Sequence, residues 1–232
     1  PDGNGLIYLE QEPEPDSTEA DSAQADAPAE EQEEGGRQRD RRMDRVIRWV
    51  PPFDSTSTET LYETDSRMGS VQFNEDMTIL FGTNRQGDTT HQWAVFLEDS
   101  EEQFTIYRWD SDDFYENPGS LVSHGPGLGG GGGYYGRGGG SSSTVRVSED
   151  GEHVFLRGTV YDENPEEVGP KPFIDRVNIR SGDKTRIYEA DNDGVYESPA
   201  IALDLEAGRL IVNRESPTEI EQSFLRDGDQ LT

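Results

Sequence analysis

A short internal repeat is the feature that most constrains how this chain can fold. A four-residue turn that opens with an acidic residue is followed at once by three apolar residues, and this pattern occurs four times. With the stretches 11–36, 118–143 and 162–170 left out, the copies recur about every 47 residues. A period of about 40–50 residues is typical of four-stranded β-propeller blades. The copies begin at Asp2, Glu75, Asp150 and Glu206.

The remainder of each repeat also predicts strands. Short apolar runs are bounded by Asp, Gly, Ser and Asn, and no segment shows the sustained spacing of an amphipathic helix. The four residues from Met43 (Met-Asp-Arg-Val) match the four from Ile174 (Ile-Asp-Arg-Val) and predict corresponding strands. Closing strands are expected at 59–63, 185–189 and 223–232. In the second repeat, strands at 93–97 and 104–109 are expected to flank a turn at 98–103.

These patterns predict an all-β fold, a partial β-propeller of about three and a half four-stranded antiparallel blades. The expected blades are 1–63, 70–117, 144–190 and 196–232. The first blade is expected to lack its first strand, because the chain begins inside that blade's first hairpin. An open arc of blades exposes strand edges, so we expect the sequence to be an excerpt from a longer protein.

Two insertions are predicted to be disordered. Residues 11–36 are acidic and contain no aromatic residue, and residues 118–143 form a Gly/Ser-rich loop. Tyr134 and Tyr135 in this loop could form a contact point or a mobile loop tip, and we favour the loop tip. The glycines formally satisfy the pattern G-x-G-x-x-G. That motif needs a preceding strand and a following helix, so we expect no dinucleotide site and no cofactor here.

Composition excludes several classes of function. The chain has 49 acidic and 20 basic residues, a net charge of −29, which argues against nucleic acid and anionic membranes as partners. There is no cysteine, hence no disulfide, thiolate zinc site or cysteine nucleophile. No apolar run approaches the ~20 residues of a membrane-spanning helix, and the first residues lack the features of a signal peptide. The sequence leaves the cellular compartment open, and export of the longer parent protein is one of the alternatives.

The charge also favours adaptation to concentrated salt, where screening removes self-repulsion. Only Lys171 and Lys184 are lysines, and residues 37–232 keep 37 acidic against 20 basic residues. The alternative is that the acidic insertion merely inflates the total. The excess outside the insertion favours the first interpretation.

No catalytic or metal-binding residue is expected in this chain. It has no G-x-S-x-G nucleophile motif and no H-E-x-x-H pair. His91 is expected in a loop at 82–92, His124 at the edge of the glycine tract, and His153 as an exposed turn residue. The stretch 189–194 resembles a calcium loop but has Ala200 where the twelfth position needs a glutamate.

An arginine cluster allows two interpretations. It could hold an acidic ligand, or it could pair with the acidic insertion that precedes it, which is the interpretation we favour. The cluster comprises Arg37, Arg39, Arg41, Arg42 and Arg45.

A family resemblance lies mainly in the second half of the chain. Residues 171–188, Tyr196-Glu197, and residues 214–219, 223–227 and 230–232 occur in that order, and 113–120 carries an Asn-Pro-Gly segment. This series resembles the propeller of glutamyl endopeptidase-like members of the prolyl oligopeptidase class of serine peptidases.

The resemblance implies a C-terminal α/β-hydrolase domain as partner, carrying a Ser-Asp-His triad, with peptides as substrates. The propeller would then screen peptides for access to that domain, and no catalytic residue carries over to this chain. The alternative is a free-standing propeller-type binding module without enzymatic activity. The reading frame beyond Thr232 discriminates between them, because a G-x-S-x-G segment is expected there only for the peptidase.

Overall fold

The computed structural model describes residues 5–11, 43–125, 127–128, 144–164, 167–192 and 194–232. It divides the chain into two units, Pro1–Met68 and Gly69–Thr232. Most of the acidic insertion, the arginines at 37–42, and Tyr134 and Tyr135 of the glycine tract lie outside the described residues. So does the start of the first repeat, at 2–4.

The first unit contains one antiparallel sheet of three strands in the order β1-β2-β3. Its register pairs Leu9 with Val46 and Val46 with Tyr62. The strands are β1 (Leu6–Gln11), β2 (Asp44–Trp49) and β3 (Thr58–Thr64).

The second unit contains three antiparallel sheets, each with four strands in sequence order. The first has β4 (Ser70–Phe73), β5 (Ile79–Gln86), β6 (Thr89–Phe96) and β7 (Asp99–Asp110). The next has β8 (Ser120–Leu121), β9 (His153–Val160), β10 (Lys171–Asn178) and β11 (Lys184–Glu189). The last has β12 (Tyr196–Asp204), β13 (Arg209–Ser216), β14 (Glu219–Asp227) and β15 (Gln230–Leu231).

The predicted fold class, an all-β partial propeller, is confirmed. Each sheet is a meander of neighbouring strands, and the described residues form no helix. In that part of the chain there is accordingly no helix of the length and apolar character that crossing a bilayer requires. The repeated turn and apolar triplet place β1 at the position of β5, β9 and β13. The first sheet thus shows three strands, and the other three sheets are complete blades.

Two apolar layers join the three blades of the second unit. One layer includes Phe81 of β5 together with Leu156 and Val177 of the next blade. The other includes Phe155 and Ile174 of that blade together with Val212 of the last blade. Because successive side chains of a strand point to opposite faces, β9 supplies Phe155 to one layer and its neighbour Leu156 to the other. The middle blade is therefore buried on both faces.

Close packing in the blade β4–β7 depends on a glycine. Gly82 of β5 lies directly opposite Trp93 of β6, and Trp93 is fully buried. A Cβ atom added at Gly82 would lie 2.1 Å from the indole ring. Because Gly82 has no side chain, the indole ring of Trp93 can occupy this space.

A buried carboxylate lies inside the middle blade. Asp175 of β10 is almost inaccessible, and its two oxygens accept hydrogen bonds from Arg186, with Nε at 2.8 Å and Nη2 at 3.2 Å. Lys184, one of the two lysines of the chain, has its Nζ 3.5 Å from the same carboxylate. Arg186 in turn stacks 4.2 Å above the ring of Phe173. Pairing of this kind is what allows a charge to be buried.

The segments at Met43 and Ile174 lie on corresponding strands, β2 and β10, as predicted, but their residue-by-residue match is displaced by three positions. Val46 pairs with Leu9 and Tyr62, whereas Ile174 pairs with Arg157 and Tyr188. Val46 and Ile174 are therefore the corresponding residues. The shared sequence Asp-Arg-Val suggested the wrong alignment of the two strands, because hairpin pairing rather than local sequence identity sets the register.

Two predicted loops of the second blade are also corrected. Residues 82–92 are the facing halves of β5 and β6, joined by a two-residue turn at Gly87 and Asp88. The expected turn at 98–103 is shorter, because β7 already begins at Asp99. Polar residues dominate both stretches, which is why the sequence predicted a loop and a long turn there.

The glycine tract begins later than expected. Ser120–Leu121 forms β8 and pairs with β9, and Val122 and Leu128 are buried in the core shared with the last blade. Leu128 donates its backbone N–H to the Ala200 carbonyl of β12 at 2.7 Å. The glycines on either side concealed these two apolar anchors in the sequence.

Candidate functional site

The repeated turns of the second unit lie at one end of its blades, called here the turn end. Each turn is held by a polar side chain placed just before it. Asn74 Oδ1 accepts the N–H groups of Thr78 and Ile79, both at 2.9 Å, and Ser148 Oγ accepts the N–H of His153 at 2.9 Å. These bonds satisfy backbone donors that a tight turn leaves unpaired. The polar residues that precede these two turns, Asn74 and Ser148, therefore have a structural role.

An acidic cleft of about 700 Å³ opens at the turn end between the second and third blades. Its walls are the turn that follows β4 and the turn that precedes β9, with Phe96 and Arg180 at its sides. Such a surface repels anionic ligands and attracts cationic ones. The lining carboxylates are those of Glu75, Asp76, Glu98, Glu149, Asp150 and Glu152.

Two nitrogen-bearing side chains contact carboxylates of the acidic cleft. His124, expected at the edge of the glycine tract, has its Nε2 3.2 Å from Glu75 Oε2. Arg180 lies 4.1 Å above the ring of Phe96 and places its Nε 3.8 Å from Glu152 Oε2. Arg180 belongs to the third blade and Phe96 to the second, so this contact joins the two walls of the cleft.

Ser148, Asp150 and His153 contain the residue types of a catalytic triad but lack its arrangement. The Ser148 hydroxyl donates directly to Asp150 Oδ1 at 2.5 Å, and His153 Nδ1 lies 3.5 Å from the same oxygen. Arg176 Nη2 donates to His153 Nδ1 at 3.1 Å. In a working triad the serine hydroxyl hydrogen-bonds to the imidazole, which takes its proton, whereas here the Ser148 hydroxyl hydrogen-bonds to the Asp150 carboxylate. The group is a turn-stabilising network.

The prediction for His153 is therefore corrected. It is the first residue of β9 and half-buried, not an exposed turn residue.

The hydrogen bonds from Ser148 and from the Glu152 N–H lower the pKa of Asp150 to about 2. Arg176 also reaches Glu206 of the last blade, with a separation of 4.0 Å between Nη2 and Oε2, and so joins neighbouring blades.

His91 is buried within β6 rather than in a loop. Its Nε2 forms a 2.9 Å hydrogen bond with the Thr105 hydroxyl of the neighbouring strand β7. Burial, followed by the positive charge of Arg108, lowers the pKa of His91. A neutral imidazole can serve as a base, but here the pair ties two adjacent strands within one sheet.

A buried ionic cluster lies where β11 leads into β12. The Glu197 carboxylate has 4% of its side-chain surface exposed and lies 2.8 Å from Arg226 Nη2 and 3.1 Å from Arg214 Nε. Tyr188 donates its hydroxyl to Glu197 Oε1 at 3.0 Å. Burial, followed by the negative charge of Glu197, raises the pKa of Tyr188. One carboxylate thus links strands of two blades, a role that the sequence did not predict.

The stretch that resembles a calcium loop is used for chain reversal. Asn192 has a positive φ of 52° and accepts the Glu197 N–H at 2.7 Å through Oδ1. Glu189 is paired with Arg186. Across the described ranges of the chain, no three His, Asp or Glu side chains are grouped in a way that could hold a metal ion.

Comparisons with known proteins bear on the peptidase resemblance. No protein-family model matches the chain. Two curated proteins, from Oryza sativa subsp. japonica and Arabidopsis thaliana, are each 23% identical to it over 185 residues. Both carry the description "Probable glutamyl endopeptidase, chloroplastic". The alignment covers 75% of this chain and 18% of each relative, so the chain spans about a fifth of their length.

Two solved structures are similar at a low level. TolB from Acinetobacter baumannii matches with a TM-score of 0.37 and 11% identity, over 82% of this chain and 36% of TolB. An acylaminoacyl peptidase in complex with Z-Gly-Gly-Phe-chloromethyl ketone matches with a TM-score of 0.38 and 7% identity, over 80% and 28% of the two chains. The sequence comparison shows that the chain is similar to a part of proteins described as probable glutamyl endopeptidases.

Proposed function

We propose that this chain is the non-catalytic propeller segment of a prolyl oligopeptidase-type serine peptidase. In the parent protein a hydrolase domain would cleave peptides, and the propeller would control which peptides reach it. The observation that carries the proposal is the sequence relation to glutamyl endopeptidases across a run of blades. The arrangement of Ser148, Asp150 and His153 agrees with a segment that leaves catalysis to another domain.

The gating part of the proposal can be tested with a reversible clamp between blades. Gly127 and Ile201 form an isolated antiparallel bridge between the start of the glycine tract and β12. A Cβ atom at Gly127 meets nothing within 4 Å, and Ile201 is exposed. The chain contains no cysteine. The pair Gly127→Cys and Ile201→Cys would therefore form a defined disulfide at paired strand positions.

The clamp is to be measured in the complete parent protein, with Ile201→Cys alone as the matched control. The two segments are hydrogen-bonded to each other, so peptides can pass here only when the segments separate. If they do, oxidation should lower kcat/KM for long peptides and leave a short chromogenic ester unaffected. Reduction should restore the rate for long peptides, and the control should not respond. Equal rates on long peptides in the oxidised and reduced protein would contradict gating at this place.

The alternative, a free-standing binding module, is tested by the reading frame after Thr232. A downstream G-x-S-x-G segment followed by Asp and His supports the peptidase. A stop codon or an unrelated sequence supports the binding module.

Adaptation to concentrated salt is a further part of the proposed function. The supporting observation is the excess of 37 acidic over 20 basic residues outside the acidic insertion. Several of these carboxylates crowd the acidic cleft at the turn end. Screening by salt weakens repulsion among exposed charges.

A further inference from the structure

An exposed aromatic cluster lies at the opposite end of the second and third blades from the acidic cleft. Phe114 and Tyr115 belong to the connection after β7, and Tyr161 directly follows β9. Their rings are in contact, with centroids 4.7 Å apart for Phe114 and Tyr161 and 5.7 Å apart for Phe114 and Tyr115. The three residues, called here the aromatic patch, are 51%, 50% and 42% exposed. Contiguous exposed aromatic surface marks an interaction site more often than single exposed residues do.

The loops hold the aromatic patch in place through local hydrogen bonds. Trp109 Nε1 donates to the Asp113 carbonyl at 2.7 Å, and Asp113 Oδ1 accepts the Glu116 N–H at 3.2 Å. Asp162 Oδ1 accepts the Asn164 N–H at 2.8 Å. These bonds order the backbone on both sides of the rings. Their contact surface is therefore largely formed before any ligand binds, which lowers the entropy cost of binding.

Exposed acidic residues, called here the acidic rim, flank the aromatic patch along the chain. Five exposed acidic residues lie within two positions of a patch residue in the sequence. Among the residues that the structure describes, none of the five has a Lys, Arg or His nitrogen within 4.0 Å. The acidic rim comprises Asp112, Asp113, Glu116, Asp162 and Glu163.

We propose that the aromatic patch and the acidic rim form a docking surface for an extended, arginine-containing segment of a partner protein. Aromatic faces attract cations, and the planar guanidinium group stacks on a ring while it pairs with carboxylates through its edge. The rim supplies the complementary charge, and the net charge of −29 draws cationic segments toward the protein. This surface is independent of the function proposed above.

Binding is to be measured by fluorescence anisotropy on the full chain, with a labelled peptide of alternating Gly and Arg. A matched peptide has citrulline in place of Arg. The double variant Phe114→Leu and Tyr161→Leu keeps apolar side chains but removes two π faces, and Phe53→Leu is its control, since Phe53 is an exposed aromatic residue of the first unit. We expect the double variant to bind the Arg peptide about tenfold more weakly, and the control to bind like the natural chain.

A second pair of variants separates local from overall charge. Asp162→Asn with Glu163→Gln removes two charges from the rim, whereas Glu101→Gln with Glu102→Gln removes two from β7, about 30 Å along the strand from Asp110. The rim variant should bind the Arg peptide several-fold more weakly than the β7 variant. Equal affinity of these two variants, or of the double Leu variant and the natural chain, would overturn the proposal, because attraction would then be non-specific. Equal binding of the citrulline peptide, or self-association of the chain through the patch, would also overturn it.

Discussion

Replacing Glu197 by glutamine tests whether the buried ionic cluster holds the last blade to its neighbour. The change keeps the size of the side chain but removes the charge that faces Arg214 and Arg226. It also leaves a single amide oxygen as acceptor where two carboxylate oxygens now serve Tyr188 and Arg226. The two guanidinium groups then repel each other without an anion between them.

The size of the effect follows from the burial of the three charges. Removing one partner of a fully buried ion pair costs about 3–5 kcal/mol. The Glu197 side chain is 4% exposed, but those of Arg214 and Arg226 are 33% and 22% exposed, so solvent screens part of the loss. We therefore expect Glu197→Gln to lower the free energy of unfolding by about 2–3 kcal/mol. For a chain of this length that corresponds to a Tm lower by about 4–12 °C.

The assay is thermal unfolding followed by circular dichroism, with Glu215→Gln as control. Glu215 lies on β13 and is exposed, so its neutralisation should change the free energy of unfolding by less than about 0.5 kcal/mol. Adding Arg226→Met to Glu197→Gln should recover part of the loss, because it removes the uncompensated charge. The reasoning is refuted if the Glu197 and Glu215 variants unfold at the same temperature.

Three further outcomes are expected. Gly82→Ala should lower the free energy of unfolding by about 3 kcal/mol in chemical denaturation, because the added methyl group meets the Trp93 ring. Its control, Gly87→Ala, lies in open space at φ 63° and should lower the free energy of unfolding by about 1 kcal/mol. Equal losses for the two variants would contradict the packing argument. The pKa of Asp150 is about 2, below the unfolded value of 3.8, so its contribution to stability is present above pH 4 and lost as the pH falls to 2. Asp150→Asn should therefore lower the Tm at pH 5 but not at pH 1.5. A Tm difference that persists at pH 1.5 would contradict this assignment. Raising potassium chloride from ~0.1 M to ~1 M should raise the Tm substantially with or without residues 11–36, since the screening length falls from ~10 Å to ~3 Å, and a flat Tm would argue against salt adaptation.

The sequence predicted the blades because their signals are local. The acidic turn followed by three apolar residues marks the second strand of each blade, and its period survives insertions. The Glu75 turn and the Asp150 turn lie where the repeat placed them. These signals depend on the identity of a few neighbouring residues, which is why they can be recognised without a structure.

Contacts between residues far apart in the sequence could not be predicted from the sequence. Gly82 suggested a loop, although its role is to face Trp93 from the neighbouring strand. Val122 and Leu128 stood among glycines, although both reach the core. The cluster around Glu197 joins residues from four strands, and the aromatic patch brings together Phe114 and Tyr161, which are 47 residues apart along the chain. Such contacts depend on register and on blade packing, which leave no short motif.

Labelling of the complete parent protein with a fluorophosphonate tests the central claim most directly. Such probes react with a serine that a neighbouring base activates. Digestion and mass spectrometry would then locate the labelled residue. The account predicts a single labelled serine beyond Thr232 and no label on this chain, either within the parent or expressed by itself. Stoichiometric label on Ser148, or on any other serine between residues 1 and 232, would contradict it.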